Sequence, residues 1–247
     1  AIKAGYYSRR KFWLHERLSE TTWSALIVMN SMIKIGVLGF AHGHVGAYCD
    51  EWKKNPSLGI LPSVGWDHDS KRLENACNAY NIKSVDSAEK LLSDKEIEAV
   101  VIGAETSMHA ELVKKAAGKG KVIILQKPIA ITLREAESIV NIVNKTNSRF
   151  TMAWQMRVDP HNMEIKRLME SGNFGKILML RRKHCLSTHK WKNFEESWHV
   201  NPSLNRDIFA DDAAHAVDFI YWLKGMPISV SAELGTLRNP KIPNDHA

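Results

Sequence analysis

Three groups of residues in this chain have the type and spacing to do chemistry. The first is Gly39-Phe40-Ala41-His42-Gly43-His44, between an apolar run and an amphipathic stretch. A tight turn there lets backbone N–H groups and a helix N-terminus face a pyrophosphate. Of the usual G-x-G-x-x-G spacing only Gly39 keeps its register, with Ala41 at the second place and His44 at the third. Alone, this is as consistent with an ordinary strand–helix turn. The second group is Asp67, in Gly65-Trp66-Asp67-His68-Asp69 at the end of a predicted strand. A carboxylate there binds the hydroxyls of an adenosine ribose and repels the additional phosphate of NADP, so NAD is expected rather than NADP. The alternative is a cap for the next helix, a role that Asp69 or Ser70 serves better. The third group is Gln126-Lys127-Pro128, directly after an apolar strand. A lysine at the carboxyl end of a buried parallel strand points into the ligand crevice, where a partly desolvated ammonium positions a hydroxyl or transfers a proton. The plainer alternative is a surface lysine before a turn proline.

Asp211 and His215 stand one helical turn apart, which puts them on a shared face. By themselves they also read as a carboxylate favoured by a helix N-terminus and a core-facing histidine. They form no metal site by spacing, since no third ligand is evident. The pairs His42/His44 and His184/His189 are read as turn or surface residues.

The elements that must position these groups follow from periodicity. From Met32 onward, short apolar runs alternate with amphipathic stretches. Strands are expected at 33–38, 61–66, 82–85, 99–103, 122–125 and 149–154. Helices are expected at 43–54, 70–80, 88–92, 109–117 and 133–145. Strands alternating with helices imply a Rossmann-type doubly wound parallel α/β sheet, with ligands at the strands' carboxyl ends. After residue 155 the rhythm changes. Helices at 162–171 and 211–223 and strands at 177–184 and 228–236 read as the beginning of an incomplete α+β sheet domain, and the chain as a fragment. The expected division is a non-core extension over 1–31, a dinucleotide-binding domain over 32–152 and a partial substrate and oligomerisation domain over 153–247.

Composition narrows the functional classes. The 247 residues are 44% apolar and 25% charged, as in ordinary globular proteins. Of the net charge of +7, residues 1–31 contribute +3, and the rest is too thinly spread for a nucleic-acid footprint. Arg181-Arg182-Lys183 and Lys190-Trp191-Lys192 therefore read as a solvated strand and loop. Three cysteines without metal spacing suit reduced thiols and a cytoplasmic protein. No run approaches the roughly 18 apolar residues needed to span a bilayer. Ser8-Arg9-Arg10-Lys11-Phe12 looks like the start of a twin-arginine signal but runs into charged residues where an apolar core is required. Residues before Met32 are accordingly read as flanking sequence.

The ordered set of motifs resembles the glucose–fructose oxidoreductase and inositol dehydrogenase (Gfo/Idh/MocA-type) family. The matching stretches are Ile35–Gly43, Asp67, Ala99–His109, Gln126-Lys127-Pro128, Gln155–Pro160, Ser171–Lys176 and Asp211–Asp218. The resemblance implies a Rossmann domain followed by a mostly antiparallel sheet domain that walls the substrate site, in a homo-oligomer. It implies that Gly39, Phe40, Ala41, His42, Asp67, His68, Thr106, His109, Gln126 and Lys127 line the cofactor. It further implies that Lys127 and His215 are catalytic, with Asp211 orienting His215 or binding substrate, and that Arg157 lies on the substrate side. The implied activity is NAD-dependent hydride transfer on a sugar, cyclitol or related hydroxy or carbonyl compound. Three departures stand out: Ala41 in the turn, Gln126 in place of the motif's glutamate, and Asn205-Arg206-Asp207-Ile208-Phe209 in place of a glycine-rich stretch. They motivate a second expectation, an NAD-binding sensor that has lost turnover.

Overall fold

Six parallel strands form the sheet in the computed structural model, which describes residues 32–246. They are β1 (Ile33–Leu38), β2 (Ile60–Trp66), β3 (Lys83–Ser84), β4 (Ala99–Ile102), β5 (Val122–Leu125) and β6 (Phe150–Met152). Helices α1 (Gly43–Lys54), α2 (Ser70–Tyr80), α3 (Ala88–Ser93), α4 (His109–Ala116) and α5 (Leu133–Lys145) make the crossovers. The strand order β3-β2-β1-β4-β5-β6 reverses direction of growth between β1 and β4. That pair is the switch point, where the loops after neighbouring strands diverge and leave a crevice. The expected α/β class is borne out. Residues 1–31, with the Arg9-Arg10 motif, lie outside the described residues.

Local chemistry explains the elements. β4 is a continuous apolar run because both its faces are covered, and β1 is covered from Ile35 onward, so that Val37, Leu38, Val100 and Ile102 are wholly buried. One apolar cluster joins Leu38, Val100, Ile102, Leu112, Ile123, Leu125 and Ile139. Another joins Ile35, Val37, Val45, Cys49 and Val101. The Asp69 side chain accepts the Arg72 N–H at 2.9 Å and caps α2, so Asp67 is released from that duty. Thr132 and Glu135 form a reciprocal capping box on α5.

Beyond β6 the chain runs through a turn at Gln155–Arg157 into α6 (Pro160–Glu170), capped by Asp159. Short turns then lead to α7 (Pro202–Asn205), a π-helical turn at Phe209–Ala213 and α8 (Ala214–Lys224). Phe194, Val200, Ile208 and Ile242 make a third, small apolar cluster there. The strands expected at 177–184 and 228–236 do not form a sheet; among the described residues only an isolated bridge, Gly235 to His246, is present. A strand needs a ladder partner, and none of the described residues offers one. Leu178 and Met179 are accordingly 85% and 84% exposed, and Ile228 is fully exposed. Among the described residues no helix is long and apolar enough to cross a membrane.

Candidate active site

The site is built on loops that leave the carboxyl ends of β1, β2, β4 and β5. The first loop is held between the exits of the second and fourth strands: the Gly39 N–H donates to the Trp66 carbonyl of β2 at 2.7 Å and the His42 N–H to that of Gly103, after β4, at 2.9 Å. Gly39 has φ +89°, and a Cβ on it would lie 2.4 Å from the Ala104 backbone nitrogen and Cα. Only glycine meets both demands, and the turn keeps its close approach despite the poor motif. Gly39→Ala is therefore expected to lower stability by about 2–4 kcal/mol through backbone strain and overpacking, measured by urea unfolding. An effect below about 0.5 kcal/mol would place the turn elsewhere.

At the β2 exit, Asp67 is buried and fully engaged. It accepts from the Phe40 N–H at 2.7 Å, the Asp69 N–H at 2.9 Å and the Arg72 guanidinium at 2.8 Å twice. Arg72 also reaches Glu105, at 2.9 Å, in the loop after β4. His68 stands beside them, its Nδ1 3.4 Å from Asp67 and 3.7 Å from Glu105. Arg72 and Glu105 escaped the sequence reading because neither belongs to a spaced motif.

At the β5 exit, Gln126 is completely buried, donating to the Tyr48 hydroxyl at 2.7 Å with its oxygen 3.4 Å from His44 Nδ1. The Lys127–Pro128 peptide is cis. Lys127 Nζ donates to Asp211 Oδ1 at 2.6 Å, with both side chains all but inaccessible. The second oxygen of Asp211 lies 2.6 Å from His199 Nδ1. Asp211 thus joins Lys127 to His199, a residue the sequence reading did not single out. Burial alone would push the Asp211 carboxyl up, but the His199 hydrogen bond and the Lys127 charge hold it well below the usual carboxylate range.

Asp211 makes no hydrogen bond to His215, contrary to the orienting role expected for it. The π-helical turn at Phe209–Ala213 inserts an extra residue into that turn, so the four-residue spacing no longer stacks the two side chains. His215 instead sits among other rings: His44 at 6.3 Å, His184 at 6.0 Å and Trp154 at 6.1 Å between centroids. His42 lies 4.4 Å from His44 and 5.9 Å from His199. His42 keeps the turn place expected of it, capping α1 by accepting the His44 N–H at 3.3 Å, but it is buried, while His44 and His184 are half-buried; the segment carrying Trp198 and His199 folds over the glycine turn. Trp198 Nε1 fixes that cover by donating to the Ala41 carbonyl at 3.1 Å. Burial, reinforced by the Lys127 charge, lowers His42 to about 2 and His215 to about 4. Both are neutral near pH 7. Among the described residues no group of three or more His, Cys, Asp or Glu could hold a metal ion.

Three expected residues do other work here. His109 is buried, its Nδ1 3.0 Å from the Pro128 carbonyl and its Nε2 3.2 Å from that of Ala104, so it ties the β4 and β5 loops together. Thr106 donates to Asn205, whose amide in turn donates to the His199 carbonyl at 3.2 Å. The altered stretch at Asn205 therefore fastens the cover to the sheet. Arg157 spends its guanidinium on Asp218 of α8, with Nε 2.9 Å from the carboxylate, and is not brought to Lys127.

The family model described as an oxidoreductase family with an NAD-binding Rossmann fold matches residues 33–154, and the GFO/IDH/MocA C-terminal domain matches residues 162–247. The chain belongs to the GFO/IDH/MocA family. Its Rossmann portion is an NAD-binding domain. Inositol 2-dehydrogenase of Salmonella typhimurium is 25% identical over 85% of this chain and 62% of its own length. The scyllo-inositol 2-dehydrogenase (NAD(+)) of Bacillus subtilis is 30% identical over 61% of this chain and 42% of its own. The structure of Lactobacillus casei scyllo-inositol dehydrogenase with bound NAD(H) and scyllo-inositol shares the fold, with TM-score 0.68 at 21% identity over 79% of this chain and 57% of that one. The chain spans about half the length of the curated relatives it matches, such as a Schizosaccharomyces pombe oxidoreductase aligned over 51% of its length.

Proposed function

We propose that this protein is an NAD-dependent dehydrogenase that oxidises a secondary alcohol of a polyhydroxylated substrate, a cyclitol or sugar. One observation carries this reading. Around Lys127 the side-chain atoms His42 Nε2, His184 Nε2, His215 Nδ1 and Gln155 Oε1 are buried without any hydrogen-bond partner. Buried polar atoms rarely go unpaired, so together they suit a ligand carrying several hydroxyls. The names of the relatives point to the same substrate class.

The residues fit the cofactor. Gly39 gives the backbone clearance at the turn, and the β2 and β4 exits carry carboxylates on the ribose side. When bound, NAD supplies the hydride acceptor. The protein handles the proton. The Lys127 ammonium, fixed by Asp211, donates a hydrogen bond to the substrate oxygen and favours its alkoxide character. His215, neutral and with an open Nδ1, accepts the hydroxyl proton. His199 links the pair to water: its side chain is 23% exposed, against 3% for Lys127 and 2% for Asp211. The Trp198 cover excludes bulk water from the centre.

The test is titration of NADH into the full chain, followed by absorbance of NADH formed from NAD with myo-inositol, scyllo-inositol and levoglucosan. Saturable binding with NADH formation from one of them is the expected result. Binding without turnover on a broad polyol and sugar panel would assign the sensor role motivated by Gln126. Absence of any saturable NADH binding would overturn both.

A further inference from the structure

We infer that Glu105, rather than Asp67, offers the open carboxylate oxygen to the adenosine ribose of NAD, and that together the two carboxylates keep Arg72 from accepting a 2′-phosphate. The inference rests on the NAD reading above and assigns its discrimination to a residue outside the glycine turn and the β2 aspartate.

An ionised carboxylate has about four lone-pair sites. Those of Asp67 are all used: the Asp69 N–H and Arg72 Nη2 on Oδ1, the Phe40 N–H and Arg72 Nε on Oδ2. Its side chain has no exposed surface. Binding a ribose through Asp67 would require giving up the arginine fork or the hydrogen bond that holds the glycine turn. Asp67 is thus a positioning residue, shaping the turn and aiming Arg72.

Glu105 is in the opposite condition. One oxygen pairs with Arg72 Nη1 at 2.9 Å, whereas Oε2 is buried and unpartnered. His68 Nδ1 is 3.7 Å from it, beyond a hydrogen bond. A buried carboxylate oxygen without a donor carries its full desolvation cost, and a hydroxyl would relieve it. Glu105 follows β4 as Asp67 follows β2, so the two flank the β1 turn at the switch point.

Charge then decides between cofactors. One guanidinium faces two carboxyl groups, so the acidic side chains outnumber the basic one. A ribose hydroxyl is a donor and suits Glu105. A 2′-phosphate is an acceptor and an anion, and it meets an acceptor and a net negative field. Arginine alone would reverse that preference, since its fork matches phosphate geometry.

The test is fluorescence titration of NADH and NADPH into the full chain and its Glu105→Gln variant, which keeps side-chain shape and an oxygen for Arg72. Loss of a charge-assisted hydrogen bond is expected to weaken NADH about tenfold, while NADPH tightens, so that the ratio of the two dissociation constants changes by about 30-fold or more. A second measurement needs no variant: NADH with a 2′-deoxy adenosine ribose binds the unmutated chain about tenfold more weakly than NADH. Equal weakening of both cofactors by Glu105→Gln, or no penalty for the 2′-deoxy form, would overturn the assignment while leaving the NAD reading intact. If the unmutated chain binds neither cofactor, both fall.

Discussion

Lys127→Met is expected to reduce polyol oxidation by roughly 10²–10⁴-fold while leaving NADH binding saturable. Methionine preserves the length of the buried side chain but removes the ammonium that Asp211 holds at the centre. The cofactor's pyrophosphate and ribose are assigned to other loops, at Gly39 and Glu105, so their contacts survive. The loss therefore falls on kcat and leaves the NADH titration nearly unchanged. Lys127→Arg does not restore activity, because a planar guanidinium cannot replace an ammonium point donor in a pocket already closed by Gln126 and Asp211. Steady-state rates with NADH titrations on the same preparations check both statements. A Lys127→Met enzyme within a few-fold of its parent would move the proton chemistry away from the β5 exit.

The sheet was legible because its signals are local. A four-residue apolar run such as Ala99–Ile102 has one stable fate when both its faces are covered, and the caps at Asp69 and Thr132 are read from neighbours in sequence. Lys127 and Asp67 were legible for a related reason, since each ends a strand whose position the alternation fixes. What was not legible depends on groups that meet only in space. His199, the partner of Asp211, comes from a segment of short turns without periodicity, and nothing in its spacing marks it. Glu105 pairs with Arg72 across two loops, and the Arg72 signal is hidden inside an ordinary amphipathic helix. The π-helical turn before α8 rotated His215 away from Asp211, although a four-residue spacing suggested a shared face. The strands expected at 177–184 and 228–236 failed for a different reason. Alternation reports a pleated surface to be covered, and a ladder also requires a partner that the described residues do not supply.

The buried pair also makes a stability prediction of comparable size. Asp211→Ala is expected to cost about 3–5 kcal/mol at pH 7, because it leaves the Lys127 ammonium buried without a carboxylate. The pair itself contributes much less than that figure suggests, since desolvating two charges offsets most of their attraction. The double variant Lys127→Met/Asp211→Leu is therefore expected to recover most of the loss, a coupling that only a complete cycle reveals. The pH dependence carries the same signature. The folded-state pKa of Asp211 lies below its unfolded value, so its contribution is complete above pH of about 4 and is lost as the pH falls toward the lower folded value. The parent's unfolding free energy should drop over that acidic range, and the double variant should lack this component of the drop. Urea unfolding of the parent, both single variants and the double variant at pH 7 and at acid pH supplies the numbers. If Asp211→Ala costs less than about 1 kcal/mol at pH 7, water already reaches the ammonium, and the centre is not the closed environment in which Lys127 and His215 were assigned their roles.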